Sequence, residues 1–270
     1  MKKKILLLTI LSLGLSGCTK MTQESYESRD INYTVSSLEV IPDEYKLSAK
    51  QAGVLEKLDY STYESFTYEE KTRVIEKSAY VYLTYGYNQQ TKYNIFYLMH
   101  GGWSNETSLL GTPENPSSFK NKLDHAIMDN KIDPLIIVCP TYNNTSSQDS
   151  SDYSLALQLT NQYHNELVND LIPAVENQYS TYANDTSFSG LQASRDHRAF
   201  GGFSIGSVAT WHTFEYCLDY FRYFIPMSGS FTSDGSYFDA VVKKSGYDWN
   251  DFFIYSFSGT DDFAYGSLKS

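Results

Sequence analysis

The sequence predicts an α/β domain built around a largely parallel sheet, and three observations carry that expectation. Six short runs rich in Val, Ile, Phe and Tyr are bounded by Gly, Pro or Asn, as strands are. Four longer stretches of helical character lie between them, the strand–helix alternation of a parallel sheet. A glycine-flanked serine, Ser204, sits where one such strand meets one such helix. The 270 residues are 41% hydrophobic, enough for one sizeable core and too apolar for a disordered chain.

The strand candidates, in order, are Ala79–Leu83, Tyr93–Met99, Leu135–Cys139, Ala199–Phe203, Tyr223–Met227 and Phe252–Phe257. The helix candidates are Ser118–Asp129, Leu155–Asn177, Ser207–Leu218 and Tyr237–Lys244. Within the second helix, Pro173 lacks an N–H and is expected to bend it or begin a fresh turn. No internal repeat and no second folded domain are visible.

The N-terminus has a different character. Lys2-Lys3-Lys4 precede an apolar run from Ile5 to Leu15, followed by Ser16-Gly17 and Cys18, the layout of a secretory signal. The apolar run falls short of the roughly 20 residues a membrane-spanning helix needs. Leu15-Ser16-Gly17-Cys18 resembles the bacterial lipobox, in which the cysteine becomes the lipidated first residue; the alternative is an ordinary signal peptide that ends near a cysteine. The expected organisation is a signal over 1–17, a polar tether over 18–37 and a folded domain over 38–270. Such a protein sits in the bacterial cell envelope, held to the membrane by lipid alone and exposed outside the cytoplasm.

Charge and cysteine count exclude several functions. Basic residues number 21 and acidic ones 32, a net charge of −11. Removing residues 1–17 takes three lysines and leaves 18 basic against 32 acidic residues, or −14. A surface that acidic repels phosphate backbones, so no nucleic-acid partner is expected. Three cysteines, at 18, 139 and 217, make neither a disulfide scaffold nor a Cys-rich zinc site. Cys139 and Cys217 lie on apolar elements and read as buried small hydrophobes. No metal and no cofactor are expected.

The chemistry-bearing signal is Gly202-Phe203-Ser204-Ile205-Gly206. It follows an apolar strand and opens a helix, the context that a nucleophile elbow requires. A glycine-rich turn with an incidental serine is the alternative. Upstream, the strand ending at Met99 runs into His100-Gly101-Gly102-Trp103. In α/β-hydrolases a loop of this type gives the oxyanion hole one backbone N–H, and the residue after the nucleophile gives the other. The donors here are the Ile205 amide and one within Gly101, Gly102 and Trp103. His100 is expected to orient that loop rather than move protons.

Downstream, Gly259-Thr260-Asp261-Asp262 follows the last strand, where the acid of a Ser…Asp…His triad falls in chain order. Either aspartate fits, and such a pair can also cap a following helix. The triad's histidine should come next, yet none follows Asp262. His212 is eight residues from Ser204 along one helix, about 12 Å and out of reach. The expectation is a C-terminally truncated domain, a fragment that lacks its base.

Longer runs resemble the esterase D-like esterase family that includes feruloyl esterases, within the α/β-hydrolase fold. They are Ala79–Leu83, Tyr93-Asn94-Ile95-Phe96-Tyr97-Leu98-Met99-His100-Gly101-Gly102, Leu123-Asp124-His125-Ala126-Ile127-Met128, Ser194–Ser204 and Gly259-Thr260-Asp261. The resemblance is strongest to the esterase domains joined to bacterial xylanases. It implies Ser204 as nucleophile, Asp261 as acid with Asp262 the alternate, and no cofactor. It also implies a substrate of feruloyl esters on plant cell-wall polysaccharide or on feruloylated oligosaccharides. Two departures stand out: Ile205-Gly206-Ser207 replaces the Met-Gly-Gly usual after the nucleophile, and the histidine is missing. Two rival readings remain, a deacylase of acetylxylan or another carbohydrate ester, and a non-catalytic surface glycan-binding lipoprotein.

Overall fold

The computed structural model describes residues 40–268. The signal, the tether and Cys18 lie outside the described residues. Seven strands form one sheet: β1 (Val54–Tyr63), β2 (Val74–Leu83), β3 (Asn94–Met99), β4 (Leu135–Cys139), β5 (Arg198–Phe203), β6 (Tyr223–Met227) and β7 (Phe253–Ile254). Their order is β1-β2-β4-β3-β5-β6-β7. β1, β2 and β4 pair antiparallel, and β4, β3, β5, β6 and β7 run parallel. This is a mixed, mostly parallel α/β sheet, as the strand–helix alternation predicts.

Helices cover it: α1 (Ser118–Met128), α2 (Tyr153–Glu166), α3 (Ile172–Gln178), α4 (Phe188–Ala193), α5 (Ile205–Tyr216), α6 (Gly235–Ser245) and the short α7 (Tyr265–Leu268). The larger core packs α2, α3 and α5 against Ile95, Tyr97, Met99, Phe200 and Phe224 on one face of the sheet. A smaller cluster of Leu98, Leu110, Leu123, Ile137 and Cys139 lies on the other. Cys139 and Cys217 thus belong to separate cores, and both are free and buried. Among the described residues, no helix is long and apolar enough to cross a membrane.

Three local features depart from the sequence expectations. β1 was not anticipated, because Glu56, Lys57 and Asp59 interrupt its apolar residues. Those charges face solvent on an edge strand, while Leu55, Leu58, Tyr60 and Thr62 point inward. The helix expected over Leu155–Asn177 is two helices joined by a π turn at Leu167–Leu171. Pro173 sits in the first turn of α3, and the wider turn before it absorbs the N–H that proline lacks. The last strand is shorter than expected, with only an isolated bridge from Met227 to Phe257 beyond Ile254.

Candidate active site

The site lies at the carboxyl ends of β3, β5 and β6. Ser204 links β5 to α5 with φ 58° and ψ −116°, a conformation an L residue holds only when its neighbours enforce it. Its N–H donates to the Met227 carbonyl at 2.9 Å, and its own carbonyl accepts from Ser207 at 2.9 Å and Val208 at 3.2 Å. A Cβ at Gly202 would lie 2.5 Å from the Gly206 carbonyl oxygen, and one at Gly206 2.5 Å from that of Met99. The two glycines of the pentapeptide are therefore required by close backbone approach.

Ser207, where the related pattern has glycine, is wholly buried and donates its hydroxyl to the Gly229 carbonyl at 2.6 Å. Trp211 Nε1 donates to the same oxygen at 3.1 Å. The departure from glycine thus adds a bond that ties α5 to the end of β6.

Ile205 begins α5, and its amide has no acceptor among the described residues. The loop Gly101–Trp103 runs alongside. A Cβ at Gly101 would lie 3.4 Å from Ser204 Cβ, and one at Gly102 3.5 Å from Ile205 Cγ1. The amides of Gly101 and Gly102 likewise have no acceptor among the described residues. The Trp103 amide, the third expected donor, is corrected here: it donates to the Ser150 carbonyl at 2.9 Å and cannot serve an oxyanion. Its indole instead stands 73% exposed beside the loop, at φ 53°.

His100 is buried under this loop, with Nδ1 2.7 Å from the Gly101 carbonyl and Nε2 2.7 Å from Thr141 Oγ1. Burial, assisted by the nearby Lys77 charge, lowers its pKa to about 4, against the opposing pull of the Gly101 carbonyl. A neutral imidazole engaged on both nitrogens holds structure. The other histidines are occupied elsewhere. His212 contacts Glu215 and stacks on Phe231, and His164 stacks on Tyr216. His125 stacks on Tyr45. His197 bonds Asn94 at the opposite end of β5 from Ser204. Ser204 Oγ has no hydrogen-bond partner among the described residues, so none of the five imidazoles acts as its base.

The acid loop emerges at the same end of the sheet, since the Ser228 N–H donates to the Phe257 carbonyl at 3.0 Å. Asp262 accepts from the Ala264 N–H at 2.8 Å and so caps the turn into α7. Asp261 is exposed and accepts no hydrogen bond among the described residues. No group of three or more His, Cys, Asp or Glu side chains among the described residues could hold a metal ion.

Residues 75–253 match the profile of the Putative esterase family. The chain belongs to this esterase family. It is 39% identical over 236 residues to Endo-1,4-beta-xylanase Y of Acetivibrio thermocellus, a match covering 84% of this chain and 20% of that protein. A second relative, Endo-1,4-beta-xylanase/feruloyl esterase of Xylanibacter ruminicola, is 31% identical over half of this chain and 17% of its own length. The chain thus spans about a fifth of the length of these curated relatives. Among solved structures, a serine-to-alanine mutant of the feruloyl esterase module from Clostridium thermocellum, complexed with sinapinate, superposes with a TM-score of 0.72. That match is 36% identical and covers 84% of this chain and 74% of the module. A ferulic acid esterase from Anaeromyces mucronatus, 14% identical over 86% of this chain and 94% of its own, shares the fold at a TM-score of 0.52.

Sequence reasoning missed Tyr142, Asn143 and Ser150, which anchor the loop from a segment with no motif. Only the run of small polar residues after Cys139 hinted at a structured loop there.

Proposed function

We propose that this chain is a serine carboxylesterase that removes feruloyl and related hydroxycinnamoyl groups from plant cell-wall xylan. One observation carries the reading: a strained, solvent-reachable Ser204 stands between two sets of unpaired backbone amides, Ile205 and Gly101–Gly102. Ser204 Oγ bonds to the ester carbon as its proton passes to an imidazole base. Those amides receive the charge that develops on the carbonyl oxygen. The bond to the sugar oxygen then breaks with return of the proton, and water releases the acid from the acyl-enzyme by the same route. Within this reading Asp261 is the partner of that imidazole.

The preference for an aromatic acyl group is supported by Trp103, which follows the Gly101–Gly102 loop beside Ser204 and exposes 73% of its surface. It is also supported by relatives that are themselves feruloyl esterases.

The test supplies free imidazole to the 270-residue chain and follows ferulate release from methyl ferulate and from feruloylated arabinoxylan oligosaccharides. Saturable turnover is expected, lost in Ser204→Ala to the level of imidazole alone. Equal rates in Ser204→Ala, or faster release of acetate from acetylxylan, overturn the reading. A lipid anchor at Cys18 completes the proposal, motivated by Leu15-Ser16-Gly17-Cys18. Labelled fatty acid should enter the wild type and not Cys18→Ala, which is released in soluble form; equal labelling refutes the anchor.

A further inference from the structure

The Gly101 carbonyl is gripped from the buried side of its loop by two side-chain donors. His100 Nδ1 lies 2.7 Å from it, and the Tyr142 hydroxyl donates to it at 2.9 Å. Both residues are 1% exposed, and their rings pack with centroids 4.6 Å apart. A carbonyl oxygen only accepts, so His100 carries its proton on Nδ1. Its Nε2 is then an acceptor, and Thr141 supplies the proton. Thr141 Oγ1 accepts from the Asn143 N–H at 3.0 Å, which leaves its own hydrogen for Nε2 at 2.7 Å. Thr141 is itself fixed through its carbonyl, which accepts from Lys77 Nζ at 2.7 Å within the buried Lys77–Glu166 pair.

The grip has a consequence for catalysis. In a trans peptide the C=O and the following N–H point in opposite directions, and no described peptide bond is cis. Holding the Gly101 carbonyl inward therefore turns the Gly102 N–H outward, to the open side of the loop, where no acceptor among the described residues meets it. Two successive glycines have the backbone freedom to turn this peptide over, and neither has a side chain to prevent it. Downstream the loop is pinned again, where Trp103 and Ser104 donate to Ser150. That clamp fixes the next peptide and leaves the orientation of Gly101–Gly102 to the two donors on its carbonyl.

We infer that Tyr142, acting with His100 on the Gly101 carbonyl, is a positioning residue that presents the Gly102 N–H as the second oxyanion donor. The inference rests on the esterase reading of Ser204 and deepens it, since it selects one amide from the three that the sequence left open. Tyr142 touches no reacting atom. Its hydroxyl, which also meets the Ser150 side chain, acts through the peptide it holds.

The experiment compares two ligands sharing one ring. Ferulate carries a carboxylate that needs the amide pair, whereas coniferyl alcohol carries a neutral hydroxymethyl group that does not. Both are titrated by NMR into the isotope-labelled chain and into Tyr142→Phe, Thr141→Val and Thr141→Ser. Tyr142→Phe keeps the ring and loses one hydrogen bond, so ferulate should bind about tenfold more weakly. Coniferyl alcohol should be unaffected. Thr141→Val should follow Tyr142→Phe, and Thr141→Ser, which keeps the hydroxyl, should restore ferulate binding. The Gly101 carbonyl carbon resonance reads the grip without any ligand and should shift in Tyr142→Phe. An unmoved resonance, unchanged ferulate affinity, or equal weakening of both ligands overturns the inference. If the unsubstituted chain binds neither ligand, the hydroxycinnamoyl reading fails, and a crystal structure of Tyr142→Phe with the Gly102 N–H unturned or turned inward then decides the grip by itself.

Discussion

At the scale of single residues, the active end of the molecule depends on groups kept in states that water would not give them. Ser204 keeps its unusual backbone angles because Met227 accepts from its N–H and Ser207 and Val208 donate to its carbonyl. His100 keeps its imidazole neutral because burial makes the charged form costly. That second case has a thermodynamic consequence. A histidine whose pKa falls from an ordinary 6.5 to about 4 on folding binds more protons in the unfolded chain between those values. Stability is therefore fully present above about pH 6.5 and declines as pH falls toward 4. The contribution of His100 to that decline is roughly 3 kcal/mol, at 1.36 kcal/mol for each pKa unit. His100→Gln, which cannot titrate, should flatten this part of the profile while lowering stability at neutral pH. Urea unfolding at half-unit pH steps measures it, and parallel profiles for the two proteins would refute the assignment.

At the scale of elements, what the sequence reveals depends on whether a local pattern or a distant partner decides the structure. β4 is found where its uninterrupted apolar residues place it, because a central strand buried on both faces must be apolar throughout. The elbow is legible for a related reason: backbone crowding at Gly202 and Gly206 writes itself directly into composition. β1 was hidden because its register is set by ten pairings to β2, and charged Glu56, Lys57 and Asp59 interrupt its own apolar residues. Tyr142 was hidden because its role depends on a carbonyl 41 positions earlier in the chain. Arg198 is a similar case. At the head of β5 it looks like a surface charge, yet it is 1% exposed and meets Glu176 of α3 at 2.6 Å. Its guanidinium also donates to the carbonyls of Leu191 and Tyr220 and to the Ser194 hydroxyl, so one side chain joins α3, α4 and the approach to β6. Glu176→Ala leaves that charge buried without a counterion and should cost about 3–5 kcal/mol. A loss below 1 kcal/mol in chemical denaturation would show that the pair contributes little.

At the scale of the whole molecule, the two faces of the sheet are treated differently. One is sealed by α2, α3 and α5. On the other, α1 and the loop before it cover β2, β3 and β4, and β5 to β7 lie beyond them. The pairing register places Phe96, Ala199, Tyr223 and Phe253 in one row on that face, and Phe203, Met227 and Phe257 in another. A hollow bordered by Phe96, Leu135, Ala199, Tyr223 and Ile225 opens there. Phe203, Phe253 and Phe257 expose 52%, 40% and 48% of their surface, with Tyr255 at 49%. Among the described residues nothing covers them, and an apolar patch of that kind drives association or dye binding. The strong negative charge of the chain opposes association at low salt and is screened at high salt. The 270-residue chain should therefore bind an anilinonaphthalene dye in its folded state and self-associate as salt rises. A Tyr255→Lys, Phe257→Lys double variant changes only exposed side chains, so it should keep the melting temperature while losing most of the dye signal. Dye fluorescence and sedimentation at two salt concentrations measure both effects. If the wild type stays dark and monomeric at high salt, the prediction of an open apolar face fails.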